Sequence, residues 1–194
     1  MRRTFFLLLS SAGLMLLVAG CDATGSQGTA ILNADSVAPP TVEYRFEYDS
    51  NDQVDGQNLV RVGSNGADNL GDVLLDNGFR RGDVVSARID SVKFIRVSAK
   101  RKEGHPLPKF AFDNLLGADV FLGTGTNGPQ IASGTFDPND DADEVRLGVE
   151  TADVTEVVRE GATSAFLELE TSGDITRTDR VDVTVYYRIE VEGV

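Results

Sequence analysis

Both ends of the chain's C-terminal 154 residues alternate between apolar and polar positions. In "TVEYRFEY" (41–48), every second residue is apolar, from Val42 to Tyr48. In "RVDVTVYYRIEVE" (180–192), the alternation runs unbroken from Val181 to Val191. A period of two places alternate side chains on opposite faces of an extended backbone. The pattern therefore predicts two strands, each with one buried face.

Shorter segments of the same kind lie between these ends, each bounded by Gly, Pro, Asn or Asp. We predict strands over 83–99, 115–123, 130–136, 144–150 and 163–171. In the first of these the apolar phase changes from Ile89 to Val92, which predicts a β-bulge near Asp90 and Ser91, or a strand that switches sheets.

Two segments have helical spacing instead. "ADNLGDVLLDNGF" (67–79) has Asp68 as a candidate N-cap and Asn77-Gly78 as a stop signal. "ADVTEVVREG" (152–161) places Asp153 three residues before Glu156, like a capping box, and ends at Gly161. Both are predicted to be short crossovers that cap the ends of the core.

Seven or eight strands and two short helices form one predicted domain, 41–194. We expect an all-β fold, an antiparallel β-sandwich with immunoglobulin-like or related Greek-key connections. The chain has no Trp and one Cys, so the Cys…Trp…Cys pattern of immunoglobulin domains is missing. Residues 21–40 are small and polar and end in Pro39-Pro40, which predicts a flexible tether. Ile31-Leu32 is its apolar spot, where a short strand can pair.

The first twenty residues are typical of a secretory signal peptide. Arg2 and Arg3 precede an apolar run over 5–18, which is shorter than the roughly 20 residues of a transmembrane helix. Val18-Ala19-Gly20-Cys21 then resembles the lipobox of bacterial lipoproteins. The resemblance implies cleavage between Gly20 and Cys21, a diacylglycerol on the Cys21 thiol and acylation of its amino group. The alternative is an ordinary signal peptide with an incidental cysteine.

The charge balance limits the partners. Thirty-one acidic and 18 basic side chains give a formal net charge of −13. Nucleic acid is a poor partner for this chain, because phosphate binding needs a basic surface. The segment 96–109 is the local exception, either a solvated loop or a docking patch for an acidic partner or lipid headgroups. Its candidate residues are Arg96, Lys100, Arg101, Lys102, His105 and Lys109.

Three further motifs point to chemistry. "DPNDDADE" alternates Asp137, Asn139, Asp141 and Asp143, which indicates either an irregular calcium loop or an acidic turn. "GTGTNG" (123–128) matches a dinucleotide-binding pattern, but a strand is predicted after it, so a hairpin loop is the better interpretation. "RGD" (81–83) is an adhesion tripeptide that also serves as the turn from helix to strand.

Catalytic signals are sparse. His105 is the sole histidine and no G-x-S-x-G occurs. Tyr186, on the polar face of the last strand, is a candidate aromatic ring for stacking against a sugar. We therefore expect a lipid-anchored envelope protein, outside the cytoplasm, whose sandwich domain acts as a non-catalytic binding or assembly module. Its expected partner is an envelope protein or polysaccharide, and no cofactor is expected. The alternatives are a carboxylate-based hydrolase of envelope polysaccharide and a calcium-dependent adhesion module.

Overall fold

The computed structural model describes residues 28–64, 69–97, 114–123, 125–137, 144–150, 153–161, 164–176 and 178–193. The strands in this part of the chain are β1 (Thr29–Leu32), β2 (Thr41–Tyr48), β3 (Leu59–Gly63), β4 (Val84–Val97), β5 (Leu115–Leu122), β6 (Gln130–Thr135), β7 (Glu144–Val149), β8 (Ala165–Thr171) and β9 (Asp179–Glu192). The helices are α1 (Leu70–Asp76) and α2 (Thr155–Glu160), with a single 3-10 turn at Arg81–Asp83.

The strands form two antiparallel layers. The first sheet has the order β2–β9–β4–β7, and the second has the order β6–β5–β8–β3. Strand β7 pairs with β4 through residues 144–147 and with β6 through residues 148 and 149, so it joins the two sheets along one side. The expected all-β, sandwich-like fold is confirmed.

The order of pairing identifies the connections between the strands. Leaving β1 aside, the first strand pairs with the last (β2 with β9), the second with the second last (β3 with β8), and so inward to β5 with β6. Nested antiparallel pairs distributed over two four-stranded sheets are the arrangement of a double-sheet jelly roll. Of the two expected wirings, the related Greek key therefore describes this chain, since an immunoglobulin domain has sheets of different strand order.

The core lies between the sheets and is made of the alternate residues that the sequence predicts. On β9 the odd-numbered residues from Val181 to Val191 are all buried, and on β2 the even-numbered residues from Val42 to Tyr48 are buried. The second sheet contributes the inward side chains of β5 and β8, including Val120, Leu167 and Leu169. The large share of Val and Ile suits a pleated surface, because branched side chains pack well against cross-strand neighbours.

The predicted bulge in β4 is confirmed. The register between β4 and β9 shifts between Ile89 and Ser91. One extra residue moves every later side chain to the opposite face. The shift explains why Ile89 and Val92 can both point into the core despite their odd spacing.

The two helices lie where they were expected, but their first residues differ from the prediction. Helix α1 has Asn69 at its N-cap, and Asp68 lies outside the described residues. Helix α2 has Val154 at its N-cap, so the predicted capping box of Asp153 and Glu156 is wrong. Asp153 instead accepts hydrogen bonds from the Thr155 backbone N–H and hydroxyl group. The predicted end at Gly161 is confirmed, with a φ of 73° that favours glycine.

Part of the predicted tether belongs to the sheet. Strand β1 pairs with the C-terminal end of β9, on the same edge that β2 occupies further along. Leu32 is buried in the core and anchors β1 to the sheet. The segment between β1 and β2 is also fixed to α1, because the Asn77 side-chain amide donates to the Ala38 carbonyl at 2.8 Å. The short strand expected at Ile31-Leu32 is therefore confirmed, and the prediction of a flexible tether over 21–40 is corrected from Thr29 onward.

Candidate functional site

The outward face of the second sheet carries a groove of polar side chains. A single row crosses four neighbouring strands in register: Arg61 on β3, Glu168 on β8, Asp119 on β5 and Ser133 on β6. Residues directly opposite one another in antiparallel strands have Cβ atoms about 4.5–5.5 Å apart. The alternation that buries Leu167, Leu169 and Val120 thus places these four polar residues together on the other face.

Glycines allow close packing beside the groove, at Gly117, and beneath it, where Gly134 packs against the buried Leu147. A Cβ at Gly117 would lie 3.0 Å from the Gly134 carbonyl oxygen, and one at Gly134 would lie 2.7 Å from Leu147 Cδ2. Larger residues at these positions would force neighbouring atoms to shift. The groove has a volume of about 540 Å³ and is bordered at one end by Gln57 and Asn58.

Hydrogen bonds hold the polar side chains of the groove in place. Arg61 Nε donates to Glu168 Oε2 at 2.7 Å. The Gln130 amide donates to Asp119 Oδ1 at 2.9 Å. The Ser133 hydroxyl donates to the Glu150 carboxylate at the rim. Each carboxylate retains further lone pairs that can accept hydrogen bonds from a ligand, since an ionised carboxylate offers about four acceptor positions.

Asp119 is the most perturbed acid of the groove. Partial burial raises the pKa of the Asp119 carboxyl above its usual range, and repulsion from Glu168, Glu150 and Glu170 raises it further. The hydrogen bond from Gln130 opposes this change by stabilising the charged form. Asp119 therefore holds a proton more readily than a solvated aspartate, and it lies directly opposite a second carboxylate, Glu168.

Arg96, a predicted docking residue, is not on the surface. Its side chain is 3% exposed and forms an ion pair with Asp179, 4% exposed, at an Nη2–Oδ2 distance of 3.0 Å. The reason is that β4 continues through this residue and its pairing with β9 brings the start of β9 alongside. The prediction for Arg96 is therefore wrong. Lys100, Arg101, Lys102, His105 and Lys109 lie outside the described residues.

Of the predicted calcium ligands, only Asp137 falls within the described residues, where it is exposed. Asn139, Asp141 and Asp143 lie outside them, as do Gly20 and Cys21. In the part of the chain that the structure describes, no three acidic, His or Cys side chains are grouped as metal ligands. The calcium loop stays a prediction.

The remaining motifs have structural roles. The "GTGTNG" segment connects β5 to β6, and because a strand follows it, no helix N-terminus is available for pyrophosphate. The "RGD" segment forms the 3-10 turn before β4, where the Arg81 guanidinium donates to the Val158 carbonyl at 2.7 Å and the Asp83 carboxylate accepts from the Arg80 N–H at 2.7 Å. Tyr186 is half-buried on the outward face of the first sheet, with Lys93 Nζ 5.8 Å from its ring centre.

Comparison with known proteins places the chain in no family. No protein-family pattern matches the chain, and no curated protein matches it significantly. Among the described residues, no helix has the length and apolar character needed to cross a membrane.

Sequence reasoning missed the groove because its members are scattered along the chain. Asp119, Ser133 and Glu168 each occupy a polar position of an alternating strand, as most outward-facing residues do. What makes them a site is the strand order β6–β5–β8–β3, which local patterns do not contain. The available signal was weak: "LELE" places two acids on one strand face, and Gly117 and Gly134 are glycines within strands.

Proposed function

We propose that this chain is a lipid-anchored envelope protein whose jelly-roll domain binds a hydroxyl-rich polysaccharide in the groove on its second sheet. Attachment is through Cys21, as the resemblance to the lipobox of bacterial lipoproteins implies. The domain acts as a binding module and positions the polymer at the membrane to which the protein is anchored.

The observation that carries the proposal is the row of polar side chains across four strands. Neighbouring strands are about 4.8 Å apart, so the row offers hydrogen-bonding groups at a regular spacing along an open path. Pockets for small drug-like ligands are mostly apolar and enclosed, whereas this groove is open and half of its surface is polar. Such a surface suits a polymer with many hydroxyl groups, which donate to carboxylates and accept from Arg61 and Gln130. Jelly rolls include lectin domains, which is an analogy at the level of fold.

The test of the groove is a binding assay on insoluble polysaccharide. We expect the full chain to sediment with isolated peptidoglycan or with a neutral glucan, and Glu168→Gln and Asp119→Asn each to weaken binding about tenfold, the loss of one charge-assisted hydrogen bond. The matched control is Glu43→Gln, an exposed acid on the outward face of the first sheet. Equal loss in all three variants would show a general charge effect and contradict the proposal.

The test of the anchor is separate. Cys21→Ser should abolish acyl labelling and release the protein from the membrane fraction. Two acyl chains give stable anchoring that a high-salt wash does not reverse. If the variant stays in the membrane fraction after a high-salt wash, the lipid anchor is not what holds the protein there.

A second candidate function, hydrolysis of the bound polysaccharide, is favoured by one specific observation. Asp119 lies directly opposite Glu168, and the pKa of its carboxyl is raised. Glycoside hydrolysis uses two carboxyl groups, of which the acid retains its proton at working pH. Release of reducing ends by the wild-type chain, lost in Asp119→Asn while sedimentation persists, would support hydrolysis. Binding without any release would leave the binding module as the function.

A further inference from the structure

The first sheet carries an unusual pair of charges on its outward face. Arg88 on β4 and Arg188 on β9 are direct partners in the antiparallel register, and both side chains are exposed. Like charges placed directly opposite one another in neighbouring strands destabilise a sheet. In a chain with 31 acidic and 18 basic side chains, an acid would be the commoner partner for either arginine.

Among the described residues, neither Arg88 nor Arg188 forms an ion pair at contact distance, although Arg88 is close enough to Asp153 for its charge to contribute to the lowered pKa of that carboxyl. Two carboxylates in this part of the sheet, Asp153 and Glu190, accept hydrogen bonds from other residues. Asp153 forms an isolated antiparallel β-bridge with Arg88, and its carboxylate accepts two hydrogen bonds from Thr155. Glu190 accepts a hydrogen bond from the Ser86 hydroxyl at 3.3 Å. Neither guanidinium group donates a hydrogen bond to another described residue, so the donors of both face the cavity and can meet a ligand.

The fold builds a cavity around this pair. Strand β1 pairs with β9 as far as Ile189, and β2 begins to pair at Tyr186, so the edge of the sheet is interrupted beside Arg188. The cavity at this place has a volume of about 290 Å³ and is lined by Ile31, Ser86, Arg88, Arg188 and Glu190. One wall is apolar, through Ile31, and the other is cationic.

We propose that the Arg88–Arg188 pair binds a phosphate-type oxyanion. A guanidinium group presents several N–H donors in a plane, which fits two oxygens of a phosphate at once. A phosphate between the two arginines would neutralise their repulsion and accept hydrogen bonds from both. Glu190 disfavours an anion alone but can accept a hydrogen bond from a hydroxyl group next to the phosphate. Ile31 can contact an apolar part of the ligand. These features fit a phosphate ester with neighbouring hydroxyl groups, either the headgroup of an anionic phospholipid or a soluble phosphorylated molecule.

The first experiment uses inorganic phosphate and glycerol phosphate as probes. We expect the full chain to melt at a higher temperature in either probe than in chloride at equal ionic strength, because a ligand that binds the folded state stabilises it. Arg88→Gln and Arg188→Gln should lose this rise, with affinity reduced about tenfold or more. Without phosphate, both variants should be at least as stable as the wild type, since the repulsion is gone. A purely structural role for these arginines would give the opposite result.

The control variant is Arg146→Gln, an exposed arginine on β7 of the same sheet that does not line the cavity. It should keep the full response to phosphate. A response lost equally in all three variants, or no phosphate-specific response in the wild type, would overturn the proposal.

The second experiment distinguishes the two sources of the phosphate. The Cys21→Ser chain is sedimented with vesicles of phosphatidylglycerol in phosphatidylcholine, and with phosphatidylcholine alone. Binding only to the anionic vesicles, lost in Arg188→Gln, assigns the site to a lipid headgroup. A thermal response to glycerol phosphate without vesicle binding assigns it to a soluble ester. Neither depends on the polysaccharide groove, which lies on the other sheet.

Discussion

The buried ion pair between Arg96 and Asp179 predicts a large and specific loss of stability. Both side chains are at least 96% buried, and the charged atoms are 3.0 Å apart. Removing one member of such a pair leaves the other charge in a poorly solvated site, which typically costs about 3–5 kcal/mol. We therefore expect Asp179→Leu to lower the free energy of unfolding by about that amount, a large part of the 5–15 kcal/mol typical of a whole domain.

The double variant Arg96→Met/Asp179→Leu separates the charge effect from packing. Any steric cost of the leucine is common to both variants, so the difference between them reports the uncompensated guanidinium. Replacing both charges with apolar groups is often neutral or stabilising, and we expect the double variant to recover most of the loss.

Urea denaturation followed by circular dichroism measures these differences. At a slope of roughly 2 kcal/mol per molar urea, the Asp179→Leu midpoint should fall by about 2 M. The control is Arg61→Ala, which removes the half-exposed partner of Glu168 and should cost less than about 1 kcal/mol. The reasoning fails if the control variant loses as much unfolding free energy as Asp179→Leu. It also fails if the double variant Arg96→Met/Asp179→Leu is no more stable than Asp179→Leu, because burial would then not explain the strength of the pair.

Further predictions concern the pH dependence of stability, the core, and the packing of Gly134. The pKa of the Asp119 carboxyl is raised in the folded state, so the folded state binds a proton more tightly than the unfolded state, and stability falls as the pH rises above 3.8, the pKa of an unperturbed aspartate. Asp119→Asn should therefore raise the melting temperature at pH 7 and have no effect on it at pH 3. Hydrogen bonds from Thr155 lower the pKa of the Asp153 carboxyl, so the ionised Asp153 stabilises the fold above pH 3.8 and this stabilisation disappears as the pH falls. Asp153→Asn should therefore lower the melting temperature at pH 7. Val185→Asp, at a fully buried position, should unfold the domain, which a lost β-sheet circular dichroism spectrum would reveal and a native spectrum would contradict. Gly134→Ala should lower the urea midpoint because its methyl group would clash with Leu147.

The comparison between sequence and structure shows which information is local. Alternation alone predicts that Val183, Val185 and Tyr187 share one buried face, because side-chain direction in a strand repeats every two residues. The bulge near Ser91 was also readable, since the change of phase occurs within one strand. These features need no knowledge of which strands are neighbours.

The partner of a side chain, in contrast, depends on the whole topology. Arg96 belongs to a stretch of basic residues and was predicted to dock a partner, but the pairing of β4 with β9 places it against Asp179. Asp119 meets Glu168 through the pairing of β5 with β8, two strands with β6 and β7 between them in the chain. Local patterns predicted the polar face of each strand and could not predict which polar residues would meet.

The jelly roll leaves two outward faces with different charge, and this separation has a testable consequence. The groove on the second sheet is lined by Asp119, Glu168 and Glu170, with Arg61 as an ion-pair partner of Glu168 beside it, whereas the cavity on the first sheet is lined by two arginines and one acid. Packed sheets lie about 10 Å apart, and effects of substitutions at sites more than 7–10 Å apart usually add within about 0.3–0.5 kcal/mol. The changes in unfolding free energy of Asp119→Asn and Arg88→Gln should therefore sum to that of the double variant, and each should leave ligand binding at the other face unchanged. A deviation of 1 kcal/mol or more in urea denaturation would mean that the two faces communicate through the core, and the two binding sites would then have to be treated as one coupled system.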